Sequence, residues 1–435
     1  MISSIIFICL LIATALLFTK NVRTIRRNIL LGRDVKIGGA IKERLWVMIK
    51  VALGQSKMVV RPIPGFFHLL IYVGFIIINI EILEIIFDGI FGTHRIFASL
   101  VPTSLYNVLI GSFEFLAFGV LLACVIFLIR RNILKLKRFW NKEMTTWPRT
   151  DANIILITEI ALMAAFLTMN CTDGILQSRG IEHYIQAGTF PVSSTYTVLF
   201  TNLSDSNLIF IERFCWWFHI TLIFAFINYI PYSKHFHIFL AFPNVYYSNL
   251  NPQGQFTNME SVTNEVKAML DTSFTPPIAN PEQEMSFGAK EVTDLSWKQL
   301  MDAYSCTECG RCTDVCPANM TGKLLSPRKI MMDTRDRLVE VGKNIDKNDK
   351  FIDDGKSLGS YISNEELWAC TSCNACVEAC PVNIDPLSII TDMRRFLVME
   401  ESAAPAELNT MFTNIENNGA PWKFSQSDRL NWKNE

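Results

Sequence analysis

Eight of the chain's twelve cysteines fall into two copies of one spacing: Cys306, Cys309, Cys312, Cys316-Pro317, and Cys370, Cys373, Cys376, Cys380-Pro381. Each run reads C-x2-C-x2-C-x3-C-P. Thiolates at that spacing hold a pair of [4Fe-4S] cubes, in which the first three cysteines of a run bind one cube and the fourth crosses to the other. The expected sets are Cys306, Cys309, Cys312 and Cys380 for one cluster, and Cys370, Cys373, Cys376 and Cys316 for the other. Zinc fits less well, because a tetrahedral site takes two C-x2-C pairs set apart and has no use for a third cysteine at the next step. Disulfides fit worse still, since eight closely spaced thiols in one polar segment suit a reducing compartment.

A second group of residues points to a different cofactor. Of six histidines, four lie in or beside apolar stretches: His68, His219, His235 and His237. An ionisable side chain at membrane depth is costly and is a functional hypothesis by default. Haem b in a helix bundle needs two imidazoles from facing helices. His68, just after Pro64-Gly65, and His237, just past the last apolar stretch, lie at matching depth. His219 and His237 are 18 residues apart, five turns of an unbroken helix, so they share a face at a separation of about 27 Å. His235 then points the opposite way, unless Pro231 bends the helix.

The simplest expectation is one haem b held by His68 and His237. A second would need His219 paired with His94 or His183. The alternatives are interfacial packing for His68 and His237, and a hydrogen-bonded helix contact for His219. Glu81, Glu84, Glu114 and Glu159 also sit in apolar stretches, where carboxylates pass protons, line quinone sites or simply mark the interface. Cys171 and Cys215 are placed to bridge near the outer ends of two stretches, and Cys9 and Cys124 read as packing residues. No residues suggest a nucleophile or an acid–base pair for a small organic substrate.

The elements that must position these groups divide the chain. Residues 1–251 carry 22 Lys+Arg against 13 Asp+Glu, whereas 252–435 carry 18 against 28. The second half is too acidic for a nucleic-acid binder. Five stretches, about 2–19, 64–87, 104–129, 152–170 and 209–231, are long and apolar enough to cross a bilayer. The loops 20–63 and 130–151 hold eleven and seven Lys+Arg, against one each in 88–103 and 171–207. Basic loops stay inside, so the N-terminus is expected outside and both cysteine runs in the cytoplasm. The first stretch has its charges after the apolar run, the reverse of a cleaved signal, and reads as a retained anchor.

Past Pro243 turn formers accumulate, as in Asn249-Leu-Asn-Pro-Gln-Gly254 and Thr275-Pro-Pro-Ile-Ala-Asn-Pro281, which predicts a linker. Ser296 with Gln299, and Ser363 with Glu366, form capping boxes for helices that deliver the first cysteine of each run. Each run is followed by a helical segment, Ile330–Leu338 or Ile389–Leu397, the first opened by Ser326 and Pro327. The fold class expected is all-α: a five-helix transmembrane bundle in 1–243, a linker in 244–290, a helical two-cluster ferredoxin in 291–402, and a tail in 403–435.

Several stretches resemble known families. Arg61-Pro-Ile-Pro-Gly-Phe-Phe-His68, Trp216-Trp217-Phe-His219 and Pro231-Tyr-Ser-Lys-His-Phe-His237 resemble the cytochrome b-like module of the gamma subunit of respiratory nitrate reductase. The cysteine segment is similar to the ferredoxin-like C component of heterodisulfide reductase. Together they resemble, over about residues 1–400, membrane-bound iron-sulfur oxidoreductases of the heterodisulfide reductase type, including ones linked to acyl-CoA oxidation. In the nitrate reductase module four histidines on two spans hold two b haems, with the 18-residue spacing of His219 and His237. Here only His68 stands where that module has two histidines. The longer relatives continue into a domain with C-C-G motifs, like the catalytic component of heterodisulfide reductase, and no cysteine follows Cys380 here.

The resemblance implies an electron-transfer subunit of the bacterial cytoplasmic membrane. It would link a cytoplasmic redox partner, two [4Fe-4S] clusters, haem b and the quinone pool, with a C-C-G chain as partner and no nucleic acid. The rival readings are a haem-free membrane anchor for a ferredoxin relay and a membrane redox sensor.

Overall fold

The computed structural model describes residues 2–275 and 287–434. The last part of the predicted linker, 276–286, with the Pro-rich run to Pro281, lies outside the described residues. Among the described residues the regular structure is helical, joined by turns and loops, with a single isolated bridge between Arg33 and Ser296.

Among the described residues, five helices are long and apolar enough to cross a membrane. They are α1 (Ile2–Ile29), α3 (Pro62–Phe91), α4 (Thr103–Leu128), α5 (Trp147–Ser178) and α6 (Asp205–Tyr229), with α2 (Ile41–Met48) between the first two. Each spans further than its apolar core, because polar ends add turns on either side. Their limits follow local rules: Pro62 and Pro148 sit in first turns, where a missing N–H costs nothing, and α3 ends at Gly92 in a left-handed conformation.

The bundle is held differently at its two ends. At the far end Arg95 is buried and donates to Asp173 (2.7 Å) and Asn170 (2.9 Å), while Asn170 donates to Glu114 (3.2 Å). Tyr106 donates to Glu84 (3.0 Å), and the Val192 and Ser193 amides donate to Glu114. Buried polar groups of this kind are costly unless paired, and here they satisfy one another. Glu84 and Glu114 thus serve as hydrogen-bond acceptors that clamp loops to helices.

At the near end sits the cysteine domain. It is built from α9 (Trp297–Ser305), α10 (Pro327–Asn348), α11 (Asn364–Trp368) and α12 (Pro386–Met399), with short helical turns at Arg311–Asp314 and Ala375–Ala379. Both predicted capping boxes form: Ser296 and Gln299 exchange hydrogen bonds at 2.8 and 3.3 Å, and Ser363 and Glu366 at 2.9 and 3.3 Å. Ser326 caps α10 with Pro327 in its first turn.

A single apolar cluster runs from the bundle into this domain. It joins Ile25, Ile29, Val51, Ile230, Phe236 and Val245 to Leu295, Leu300, Ile330, Leu338 and Ile389. Gly342 of α10 meets Asn28 of α1 so closely that a Cβ there would stand 2.5 Å from the Asn28 amide oxygen. The expected separation of the cysteines from the membrane half by a linker therefore does not hold. The domain packs directly on the bundle, because α7 (His237–Tyr246) crosses residue 243 as a helix and buries Asn244 and Val245 against it. The segment predicted as linker also holds α8 (Glu260–Leu270).

Candidate redox centres

The two cysteine runs fold alike. Glu308 and Gly310 in the first, and Ser372 and Asn374 in the second, take left-handed backbone conformations, with φ of 53°, 72°, 56° and 59°. These turns wrap the chain so that successive thiols face inward, and glycine or asparagine at the second position pays least for them. The fourth cysteine precedes a proline, which keeps it extended.

The inward faces enclose two cavities. One, of about 340 Å³, is lined by Cys306, Cys309, Cys312 and Cys380. The other, of about 320 Å³, is lined by Cys316, Cys370, Cys373 and Cys376. Each space thus brings together three cysteines of one run and the fourth of the other. Among the described residues no three thiol, imidazole or carboxylate groups converge to hold a single ion. The four cysteines around each space are the number of thiolates that a [4Fe-4S] cube takes.

The surroundings fit such a group. Burial pushes the Cys306 and Cys380 thiols up to about 12, and a metal supplying compensating charge would hold them as thiolates. Backbone amides of Ser372 and Ile384 donate to the Cys370 and Cys380 sulfurs at 3.4 and 3.3 Å. Arg311 and the fully buried Arg328 line the first cavity, and Arg394 donates to the Cys370 carbonyl at 2.6 Å beside the second. Such cations and amides offset the negative charge of thiolate-held clusters.

The first cavity lies against the membrane bundle. Arg311 donates to the carbonyls of Lys57 (2.7 Å) and Met58 (3.2 Å), and Arg61 pairs with Asp314 (2.6 Å). Arg328 donates to Glu143 (2.7 Å) and the Arg138 carbonyl (2.6 Å). Lys234 reaches Glu308, in the cysteine loop itself, and Glu308 also accepts from Arg335 (2.8 Å). Burial alone would raise the Glu308 carboxyl, but the Lys234 ammonium and the Arg335 guanidinium hold it below the usual carboxylate range. The second cavity faces away, with Thr371 and Cys373 exposed.

The histidines gather at this junction. His68, at the start of α3, lies within electrostatic reach of both His235 and His237, whose rings are 5.6 Å apart. His237 Nδ1 is 3.0 Å from the Lys234 carbonyl, which leaves Nε2 free, and His68 Nδ1 is buried with no hydrogen-bond partner. Burial lowers His237 and, with the neighbouring imidazoles adding to it, takes His235 down to about 3, so both rings are neutral, as metal ligation requires. A group that takes two imidazoles, as haem b does, fits this donor set.

Two expectations fail for one reason. His235 does not point away from His237, and the five-turn relation of His219 to His237 does not exist. The helix ends at Tyr229, passes through a tight turn at Ile230–Tyr232, and Ser233 is extended, as Pro231 dictates. His219 is buried, holds the Leu162 carbonyl at 3.0 Å and packs on Phe166. His94 and His183 pack at an angle against each other and edge-on against Tyr184, with His94 3.2 Å from Asp173. Asp173 lies eleven residues beyond Leu162 on α5, roughly 16 Å along the axis, so the structure does not bring His219 to either outer histidine. Cys171 and Cys215 are separate buried thiols, Cys124 is buried and Cys9 exposed.

Sequence reasoning passed over Lys234, Glu308, Arg328 and Glu143. One signal was available: Lys234 stands inside the histidine motif, and Glu308 between the first two ligand-spaced cysteines.

Residues 305–384 match the 4Fe-4S dicluster domain family. The chain is 27% identical to a probable iron-sulfur-binding oxidoreductase, FadF, of Bacillus subtilis, over its whole length and 61% of that protein. It is 25% identical to the EtfAB:quinone oxidoreductase of Syntrophomonas wolfei, over 91% of this chain and 54% of that one. The C component of the ferredoxin/F(420)H(2)-dependent CoB-CoM heterodisulfide reductase of Methanosarcina acetivorans is 30% identical over 27% of this chain and 60% of its own. The chain thus spans a little over half the length of the first two relatives. No solved structure matches. The chain is similar to membrane iron-sulfur proteins of the heterodisulfide reductase C type, with an iron-sulfur electron-transfer role.

Proposed function

We propose that this chain is a membrane electron-transfer subunit that links a cytoplasmic redox partner to the quinone pool. Cys306, Cys309, Cys312 and Cys380 hold a proximal [4Fe-4S] cluster, and Cys316, Cys370, Cys373 and Cys376 a distal one. His68 and His237 hold haem b, with His235 as the neighbouring imidazole, and His219 is a helix-contact residue rather than a ligand. The observation that carries this reading is the placement of one four-cysteine cavity on the end of the bundle where His235 and His237 pack together and His68 lies within electrostatic reach of them.

When bound, these groups supply one-electron transfer, and the protein supplies their order. Exposed Thr371 and Cys373 leave the distal site open to a soluble partner. Buried Arg311, Arg328 and Glu308 seal the proximal site against the membrane half. The apolar cluster between the two halves fixes their separation, which a loose tether would not.

The basic loops 20–63 and 130–151 lie on the same end as the cysteine domain, which favours a cytoplasmic position for it, an outer N-terminus and the bacterial cytoplasmic membrane as its location. The name of the Syntrophomonas relative points to an electron-transferring flavoprotein as donor and quinone as acceptor. The heterodisulfide reductase likeness favours a C-C-G protein as a further partner.

The test is purification from the native membrane with iron, sulfide and haem quantified. The reading requires roughly eight irons per chain and an α-band in the reduced-minus-oxidised spectrum that His68→Ala removes. Eight irons without haem would favour the second reading, a haem-free anchor, which a relative named as a probable membrane-anchored ferredoxin supports. Fewer than about four irons would sink both.

A further inference from the structure

One residue touches both candidate sites. Lys234 lies between the end of the last span and His235, and its side chain is nearly buried. Its ammonium pairs with Glu308 in the loop between Cys306 and Cys309, donates to the Pro148 carbonyl at 2.5 Å, and stands 3.7 Å from Asp151. Its backbone works in both directions: the N–H donates to Asp151 at 3.2 Å, and the carbonyl accepts from His237 at 3.0 Å. Tyr229 closes the set by donating to Asp151 at 2.5 Å.

We propose that Lys234 is a positioning residue that sets the reduction potential of the proximal cluster through Glu308, and that locks this cluster's loop to the segment presenting His237. The inference rests on the iron-sulfur reading given above. Its physics is charge balance in a dry junction, where opposite charges are weakly screened. Glu308 places a carboxylate in the cluster loop, and Lys234 and Arg335 compensate it. Reduction adds a negative charge to the cluster, so withdrawing a cation makes reduction harder, and withdrawing the carboxylate makes it easier. The His237 contact uses the Lys234 backbone, so it survives replacement of the side chain.

The experiment is an EPR-monitored redox titration of the purified full-length protein, with the proximal signal identified as the one that Cys312→Ser removes. Lys234→Gln is expected to lower the proximal potential so that, at a fixed ambient potential, the reduced-to-oxidised ratio falls about tenfold, which is 59 mV for one electron. Glu308→Gln is expected to raise it, Lys234→Arg to leave it near wild type, and the distal signal to stay in place in all three. Opposite signs for the two neutralising variants are what a merely structural role does not produce. Shifts of the same sign, equal shifts of both clusters, or no shift with both clusters intact would overturn the proposal. If Lys234→Gln fails to fold, Glu308→Gln and Lys234→Arg decide it alone. A wild-type protein lacking two clusters by iron analysis would overturn the functional reading, and this inference with it.

Discussion

The two cysteine runs share a spacing and a backbone and differ in what their side chains touch. At equivalent positions the first has Glu308, Arg311 and Asp314, and the second Ser372, Ala375 and Glu378. The three charged groups of the first run reach Lys234, the Lys57 and Met58 carbonyls, and Arg61, all in the membrane half. In the second run Ser372 and Ala375 are too short to reach another element, and Glu378 is exposed beside Gln253. An internal repeat has thus kept the residues that shape the cavity and given its two copies different outward chemistry. One copy is built to be covered and the other to be approached.

The likeness between the runs breaks first at the thiols. Cys312→Ser and Cys376→Ser should each lose one cluster, seen as a halving of iron. If the proximal loop is the docking element, Cys312→Ser should also lower the melting temperature more than Cys376→Ser. Equal losses would mean that the two loops contribute alike to the junction.

Arg328→Met should come next. This guanidinium is fully buried between Glu143 and the Arg138 carbonyl, and removing one partner of a buried pair typically costs about 3–5 kcal/mol. Denaturant melts of the purified protein should show the loss, while Arg394→Met beside the distal cavity, which gives up carbonyl contacts and a cation–π contact with Trp368 but no ion pair, should cost clearly less.

Per unit of pH, the effect expected at His235 is smaller. Burial keeps His235 neutral down to about pH 3 in the folded protein, whereas the unfolded chain takes up the proton near 6.5. Its contribution is therefore complete above about 6.5 and drains as pH falls toward 3, by up to about 1.4 kcal/mol per unit. His235→Gln should flatten this part of the stability profile, and an unchanged slope would place the proton elsewhere. The smallest effect is expected at Arg27→Ala. Its pair with Asp346 is partly exposed, so the change in stability should stay within about 1 kcal/mol.

Much of this was legible because it depends on neighbours in sequence. Span lengths follow from apolar runs, the capping boxes from residues three apart, and the crossed cysteine sets from a spacing that only one kind of site uses. The relation of His235 to His237 was not legible. A helical count carries phase only while the helix lasts, and Pro231 with the extended Ser233 resets it. The linker was misjudged for a related reason. Polar and turn-forming composition past Pro243 marks a change of surroundings, and cannot say that Asn244 and Val245 are buried against another domain.

By itself, then, the sequence determined that the chain has five membrane-length helices, two crossed sets of four thiols, and a few histidines near one end of the spans. These are matters of residue type and short-range spacing. Tertiary structure alone decided which cavity sits on the membrane bundle, that His235 and His237 pack together there, and that Lys234 and Glu308 join the two halves across 74 residues of sequence. Those pairings depend on how a continuous apolar cluster is buried, and burial is a property of the whole packed chain rather than of any segment in it.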